Sequence, residues 1–278
     1  MDWLKDIKAV IFDLDGTLYQ DYTFLGRYIK HLFEGTLSEA EIEIKVKEAY
    51  AILEGHHPVR LGYFYNRENE KVYAHKDLRL TKAFHWNGIE EENLIASDEC
   101  LFYIGDPWGI AKLYIDRYGL DEQTARNAFE RVRQEMLCKP NEIYRHHPLF
   151  DIISKLNVEK KLFLTNTPEP SGPEFVKHLQ IGELFDTYVY DACKPDGINE
   201  SLEQLLKDGY LAHEILSIGD NPWNDLYPVK KRGGRTCLIS KYVHTDPTIW
   251  DVTVETIEEL ADFLQNHAAE IQPAIKGQ

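Results

Sequence analysis

Short, wholly apolar runs stopped by polar turn residues recur along this chain. The first, Ala9-Val10-Ile11-Phe12, is stopped by Asp13-Leu14-Asp15-Gly16-Thr17. Runs of that length suit strands buried on both faces, as in a parallel sheet. Leu162-Phe163-Leu164 ends in Thr165-Asn166, Tyr188-Val189-Tyr190 ends in Asp191, and Ile215-Leu216-Ser217-Ile218 ends in Gly219-Asp220. A weaker run, Thr236-Cys237-Leu238-Ile239, follows Gly233-Gly234. Helical patterns separate them, at 152–156, 174–179, 201–207 and about 256–267. Strands alternating with helices predict an α/β fold with a doubly wound parallel sheet. Ligands gather at the carboxyl ends of such strands, which is where the polar stops fall.

Residues 19–147 follow another pattern. Ser38 with Glu41 forms a capping box before Ile42, Val46, Tyr50 and Leu53, and Gly55 stops that helix. Asp106-Pro107 starts another that Gly119 closes, and Asp121 opens a third. Phe24, Leu25, Tyr28, Ile29 and Leu32 predict one more. The aromatic stretch 56–104 fits neither period. The expected organisation is a sheet domain (1–18 plus 148–278) with a mostly helical domain (19–147) inserted after its first strand.

Charge narrows the partners. Among 278 residues, 31 Lys and Arg face 47 Asp and Glu, a net charge of −16. That balance argues against nucleic acid and anionic membrane surfaces, which need a positive footprint. The insert carries −5 and the rest −11, consistent with a region that meets an anionic substrate. Cys100, Cys138, Cys193 and Cys237 are scattered without a C-x-x-C pair, so neither a zinc cage nor a disulfide framework is expected. With no signal-peptide pattern and no spanning apolar run, a cytoplasmic monomer or homodimer is the expectation.

The strand ends hold the chemistry. Asp13 and Asp15 can face the same space once Gly16 lets the backbone turn, and Asp220 and Asp225 follow another strand. Carboxylates converging without a counterion repel, and oxygen-only ligation points to Mg²⁺. Lys194 adds a fixed positive charge, and Thr165 adds a hydroxyl and backbone N–H groups. Together they make a site for a phosphoryl group.

In their order, these segments resemble the haloacid dehalogenase-like (HAD) superfamily: Asp13-Leu14-Asp15-Gly16-Thr17, then Thr165, then Lys194 in Lys194-Pro195-Asp196, then Gly219-Asp220 with Asp225. The resemblance implies a Rossmann-like core, with the insert at the position of a C1-type cap. It implies Asp13 as nucleophile, forming an aspartyl-phosphate, and Asp15 as general acid and base. Thr165 and Lys194 would bind phosphoryl oxygens, with Asn166 a substrate-binding candidate beside them. Asp13, the Asp15 carbonyl and Asp220 would form the metal set, with Asp225 holding metal-bound water or orienting Lys194. An acid at Asp15 favours phosphate transfer over dehalogenation, since halide leaves without a proton. The expected activity is Mg²⁺-dependent hydrolysis of a small phosphomonoester, a sugar phosphate or nucleotide. A sugar-phosphate mutase and a catalytically silent binding protein are the alternatives.

Other features have duller explanations. Ile104-Gly105-Asp106-Pro107-Trp108 echoes Ile218-Gly219-Asp220-Asn221-Pro222-Trp223, but a helix start accounts for it better than a second metal site. The aromatic run Tyr63-Phe64-Tyr65 suits packing better than nucleobase stacking. The insert is expected to close over the strand ends as a lid hinged near 18–22 and 145–149. Arg60, His57 and Tyr65 are its candidates for substrate contact.

Overall fold

The computed structural model describes residues 2–92, 94 and 100–267, and the chain divides into two compact units. The first comprises Met1–Gln20, Ile143–Lys241 and Trp250–Gln278; the second comprises Asp21–Glu142 and Tyr242–Ile249.

In the first unit, β1 (Ala9–Phe12), β7 (Lys160–Leu164), β8 (Thr187–Val189), β9 (Ile215–Gly219), β10 (Arg235–Ile239) and β11 (Val252–Val254) form one sheet. Its order is β11-β10-β9-β1-β7-β8, and every pairing is parallel. Chain order therefore runs outward from β1 through β7 to β8, then restarts on the other side of β1. That is the six-strand Rossmann order, and its reversal opens a crevice at the carboxyl ends of β1 and β9. All four residues of β1 are buried, as a strand central to a doubly covered sheet requires. Ala9, Ile11, Leu162, Leu164 and Ile215 pack with Ile198, Leu202 and Leu205 of the helix Asp196–Lys207. Register aligns the strand ends: Phe12 pairs with both Phe163 and Ile218. The next residues, Asp13, Leu164-Thr165 and Gly219-Asp220, thus emerge at one level.

The second unit holds α1 (Phe24–Phe33), α2 (Glu39–Leu53), α3 (Pro107–Tyr118) and α4 (Glu122–Glu135). The expected caps are present. Ser38 and Glu41 close the capping box, Asp106 accepts from the Gly109 N–H at 2.6 Å, and Asp121 accepts from Thr124. Asp106 is thus a helix cap, the duller of its two readings. The stretch without a sequence assignment forms an antiparallel sheet, β5-β4-β3-β2-β6, from Phe64–Asn66 (β2), Lys71–Lys76 (β3), Arg79–Phe84 (β4), Glu90–Glu91 (β5) and Leu101–Tyr103 (β6). Asp77 and Leu78 join β3 to β4, both at positive φ. A two-residue hairpin turn normally marks itself with Asn-Gly or Asp-Gly. Leucine in the second place removes the signal.

Tyr242–Ile249, which chain order would leave with the sheet domain, belongs to the second unit. Thr245 gives its N–H and its hydroxyl to the Leu61 carbonyl at 3.0 and 2.8 Å. The Tyr103 hydroxyl donates to Asp246 at 3.0 Å.

Candidate active site

The polar residues at the strand ends form one hydrogen-bonded assembly inside the first unit. Lys194 Nζ donates to Asp13 Oδ1 and to Asp225 Oδ1, each at 2.6 Å. The second Asp13 oxygen accepts from the Thr17 hydroxyl at 3.1 Å, and the second Asp225 oxygen accepts from the Asn221 N–H at 3.1 Å. Asp13, Asp220 and Asp225 are all buried and bring carboxylate oxygens within 4.8 Å of one another. Two close approaches require glycine. Gly16 sits at φ +80°, and a Cβ there would lie 2.1 Å from Asp220 Oδ2. A Cβ on Gly219 would lie 2.4 Å from Asp225.

Lys194 reaches this position because its own loop is tied to the neighbouring strand end. Its N–H donates to the Asn166 side-chain oxygen at 2.7 Å, and the Ala192 N–H donates to the Thr165 carbonyl at 3.0 Å. Asn166, expected to meet substrate, is exposed and uses that oxygen to hold the lysine loop. Asp225 rides on a single π turn, Pro222–Leu226, whose first N–H groups are capped by Asn221. Such π turns are rare and occur frequently at functional sites.

Burial raises Asp13 from the usual carboxylate range to about 7; Lys194 pulls it down, while Asp225 and Asp15 push it further up. Burial opposes the charge on Lys194, but Asp13 and Asp225 outweigh it and hold the ammonium above the usual lysine range. Ionising all three carboxylates beside one ammonium would leave two excess negative charges in a buried space. A hard divalent cation matches both that charge and the all-oxygen donor set.

Two contacts were not anticipated. The Tyr19 hydroxyl donates to Asp15 Oδ1, and the Thr167 hydroxyl donates to Asp15 Oδ2 at 2.8 Å. The only sequence signal for Thr167 is its place two residues beyond Thr165, in the same strand-end loop.

The three insert candidates have separate settings in the second unit. Arg60 is exposed. His57 accepts the Val59 N–H at Nδ1 and lies 5.1 Å from the Trp86 ring, whose indole N–H donates to Glu48. Tyr65, expected to touch substrate, is instead sealed in the interior at 0% exposure, edge-on to Phe102. Its place on β2, between β3 and β6, accounts for that.

One family model spans most of the chain. Residues 7–230 match the family model described as haloacid dehalogenase-like hydrolase, and the chain belongs to that family of enzymes. Similar solved structures cover most of the chain at low identity. A predicted phosphoglycolate phosphatase from Haemophilus somnus 129PT is 15% identical with TM-score 0.55, covering 94% of this chain and 98% of its own. YfnB from Bacillus subtilis, described as a HAD-hydrolase and bound to magnesium, is 17% identical with TM-score 0.51, covering 93% and 98%. These two show the shared fold. No curated protein matches the sequence.

Proposed function

We propose that this hydrolase cleaves small phosphomonoesters, sugar phosphates or nucleotides, through an aspartyl-phosphate on Asp13. The observation that carries the reading is the buried assembly of Asp13, Lys194, Asp220 and Asp225 at the sheet's switch point. A carboxylate beside a fixed ammonium can attack phosphorus, splitting one difficult displacement into two easier ones. Lys194 and Thr165 bind the phosphoryl oxygens and stabilise their charge in the transition state. Asp15 protonates the departing oxygen as the Asp13–phosphorus bond forms, then takes the proton from the water that releases phosphate.

Asp13, the Asp15 carbonyl and Asp220 would hold Mg²⁺, with Asp225 anchoring Lys194 through one oxygen and the Asn221 N–H through the other. Bound there, the ion would neutralise charge on the transferring group. The magnesium bound to B. subtilis YfnB supports Mg²⁺ as the ion.

Turnover of an aryl phosphate is expected with Mg²⁺ and not with EDTA. Asp13→Asn should fold and lose about 10⁴-fold or more in kcat. A mutase would instead isomerise a sugar phosphate with little phosphate release, and a binder would keep its ligand after that substitution. Absence of metal-dependent turnover across a phosphate-ester panel would sink the reading. Substrate choice beyond the phosphoryl group is proposed to rest on the second unit, with Arg60 and His57 as candidates. Changing each to Ala should shift the kcat/KM ratio between two substrates.

A further inference from the structure

Both oxygens of the Asp15 carboxylate meet a hydroxyl, and each hydroxyl sits on fixed backbone. Tyr19 OH is on Oδ1 and Thr167 Oγ1 is on Oδ2. Tyr19 is 2% exposed and its ring lies 5.7 Å from Phe175. It follows a tight turn in which the Thr17 and Leu18 N–H groups both donate to the Leu14 carbonyl. Thr167 is also buried. Its N–H donates to the Thr165 hydroxyl at 3.0 Å, and its carbonyl accepts from Asp191 at 3.1 Å. Asp15 itself is only half-buried, so packing alone does not set its rotamer.

We propose that Tyr19 and Thr167 are positioning residues for Asp15, a hydroxyl clamp that keeps its carboxyl in one orientation in both halves of the reaction. The inference rests on the reading of Asp15 as general acid and base. That work alternates two protonation states. In the first half the Asp15 proton passes to the leaving oxygen while the ester P–O bond breaks and the Asp13–phosphorus bond forms. In the second half a water proton passes to Asp15 while the water oxygen bonds to phosphorus and Asp13 departs. A protonated carboxyl keeps an acceptor lone pair on each oxygen, so both hydroxyls go on donating to Asp15 while its single O–H faces the substrate. An ammonium in either place would instead favour the ionised carboxylate and oppose the protonated form that the first half needs. A carboxylate offers about four acceptor sites, so two clamps leave it able to exchange a proton with substrate. Orientation matters because a misplacement of about 1 Å can cost about 10²-fold in rate.

Leaving-group dependence separates positioning from a general structural role. With wild type, Tyr19→Phe and Thr167→Val, kcat/KM is measured for an alkyl phosphate and for 4-nitrophenyl phosphate, whose leaving group departs without a proton. The clamp predicts that each variant loses about 10- to 100-fold in kcat/KM on the alkyl ester and less than about threefold on the nitrophenyl ester. For the nitrophenyl ester kcat should fall nonetheless, because release of phosphate from Asp13 needs the base; a burst of nitrophenolate would then precede the steady state. Thr167→Ser keeps the hydroxyl and should restore the alkyl activity. Thermal unfolding identifies any variant that fails to fold, and the other variant then carries the test. Equal losses on both esters, or no loss on either, overturn the clamp while leaving the phosphatase reading intact. A wild-type enzyme inert on every phosphate ester overturns both.

Discussion

Lys194 is the counterion on which the buried carboxylates depend. Its substitution by Met leaves Asp13 and Asp225 facing each other without a cation. Breaking a buried pair in this way typically costs about 3–5 kcal/mol, because the charge left behind stays desolvated. The metal-free Lys194→Met protein should therefore unfold at markedly lower urea than wild type, with Mg²⁺ restoring part of the difference. Equal urea midpoints would show that the carboxylates are screened by something else. Gly16 tests the other side of the site. An alanine Cβ would stand 2.1 Å from Asp220 Oδ2 at a φ of +80°, so Asp220 must move. Gly16→Ala is expected to weaken Mg²⁺ binding, read by calorimetry, by at least about tenfold. Unchanged affinity would remove Asp220 from the metal set.

At the scale of elements, the parts legible in the sequence are those whose cause is local. The run at 9–12 reads as a buried strand because β1 lies between two neighbours and offers solvent no face. The Ser38, Asp106 and Asp121 caps read correctly because a cap is a contact between residues three apart. The antiparallel sheet of the second unit did not read, since β3 and β4 meet through Asp77 and Leu78, with Leu78 at φ 63°. A non-glycine residue in the left-handed region costs about 1 kcal/mol. Leu78→Gly should accordingly raise stability by up to about 1 kcal/mol, seen as a higher thermal midpoint with the chemistry at Asp13 unaffected. A drop in midpoint would mean that the leucine side chain contributes more by packing than its backbone costs.

For the whole molecule, the chain passes between the two units at four places, around residues 20, 142, 241 and 249. The last two enclose a segment with its own titration. Both ring nitrogens of His244 are buried without a hydrogen-bond partner, and burial pushes its pKa down to about 4, partly offset by Asp246. His75 lies 3.8 Å from Asp246 and is also shifted down by burial. An unfolded histidine titrates near 6.5. Between about 6.5 and 4 the unfolded chain therefore binds more protons than the folded one, and stability is lost as pH falls through that window. His244→Gln should flatten the dependence of the urea midpoint on pH between 7 and 4. An unaltered slope would assign the acid sensitivity elsewhere.

The strands at 9–12, 162–164 and 215–218, the order of the motifs and the helix caps were determined by the sequence itself, because burial on both faces and turn chemistry leave a pattern in consecutive residues. Asp13, Thr165 and Asp220 were legible as a set of polar stops for the same reason, since each directly follows a strand. Tertiary structure alone decided which oxygens meet which donors. Lys194 lies 181 residues from Asp13, and Thr167 lies 152 residues from Asp15, separations at which no local pattern carries pairing. It also decided that Tyr65 is interior and that Tyr242–Ile249 joins the second unit. A side chain's exposure, and the partner of an irregular segment, depend on what the rest of the chain packs against it.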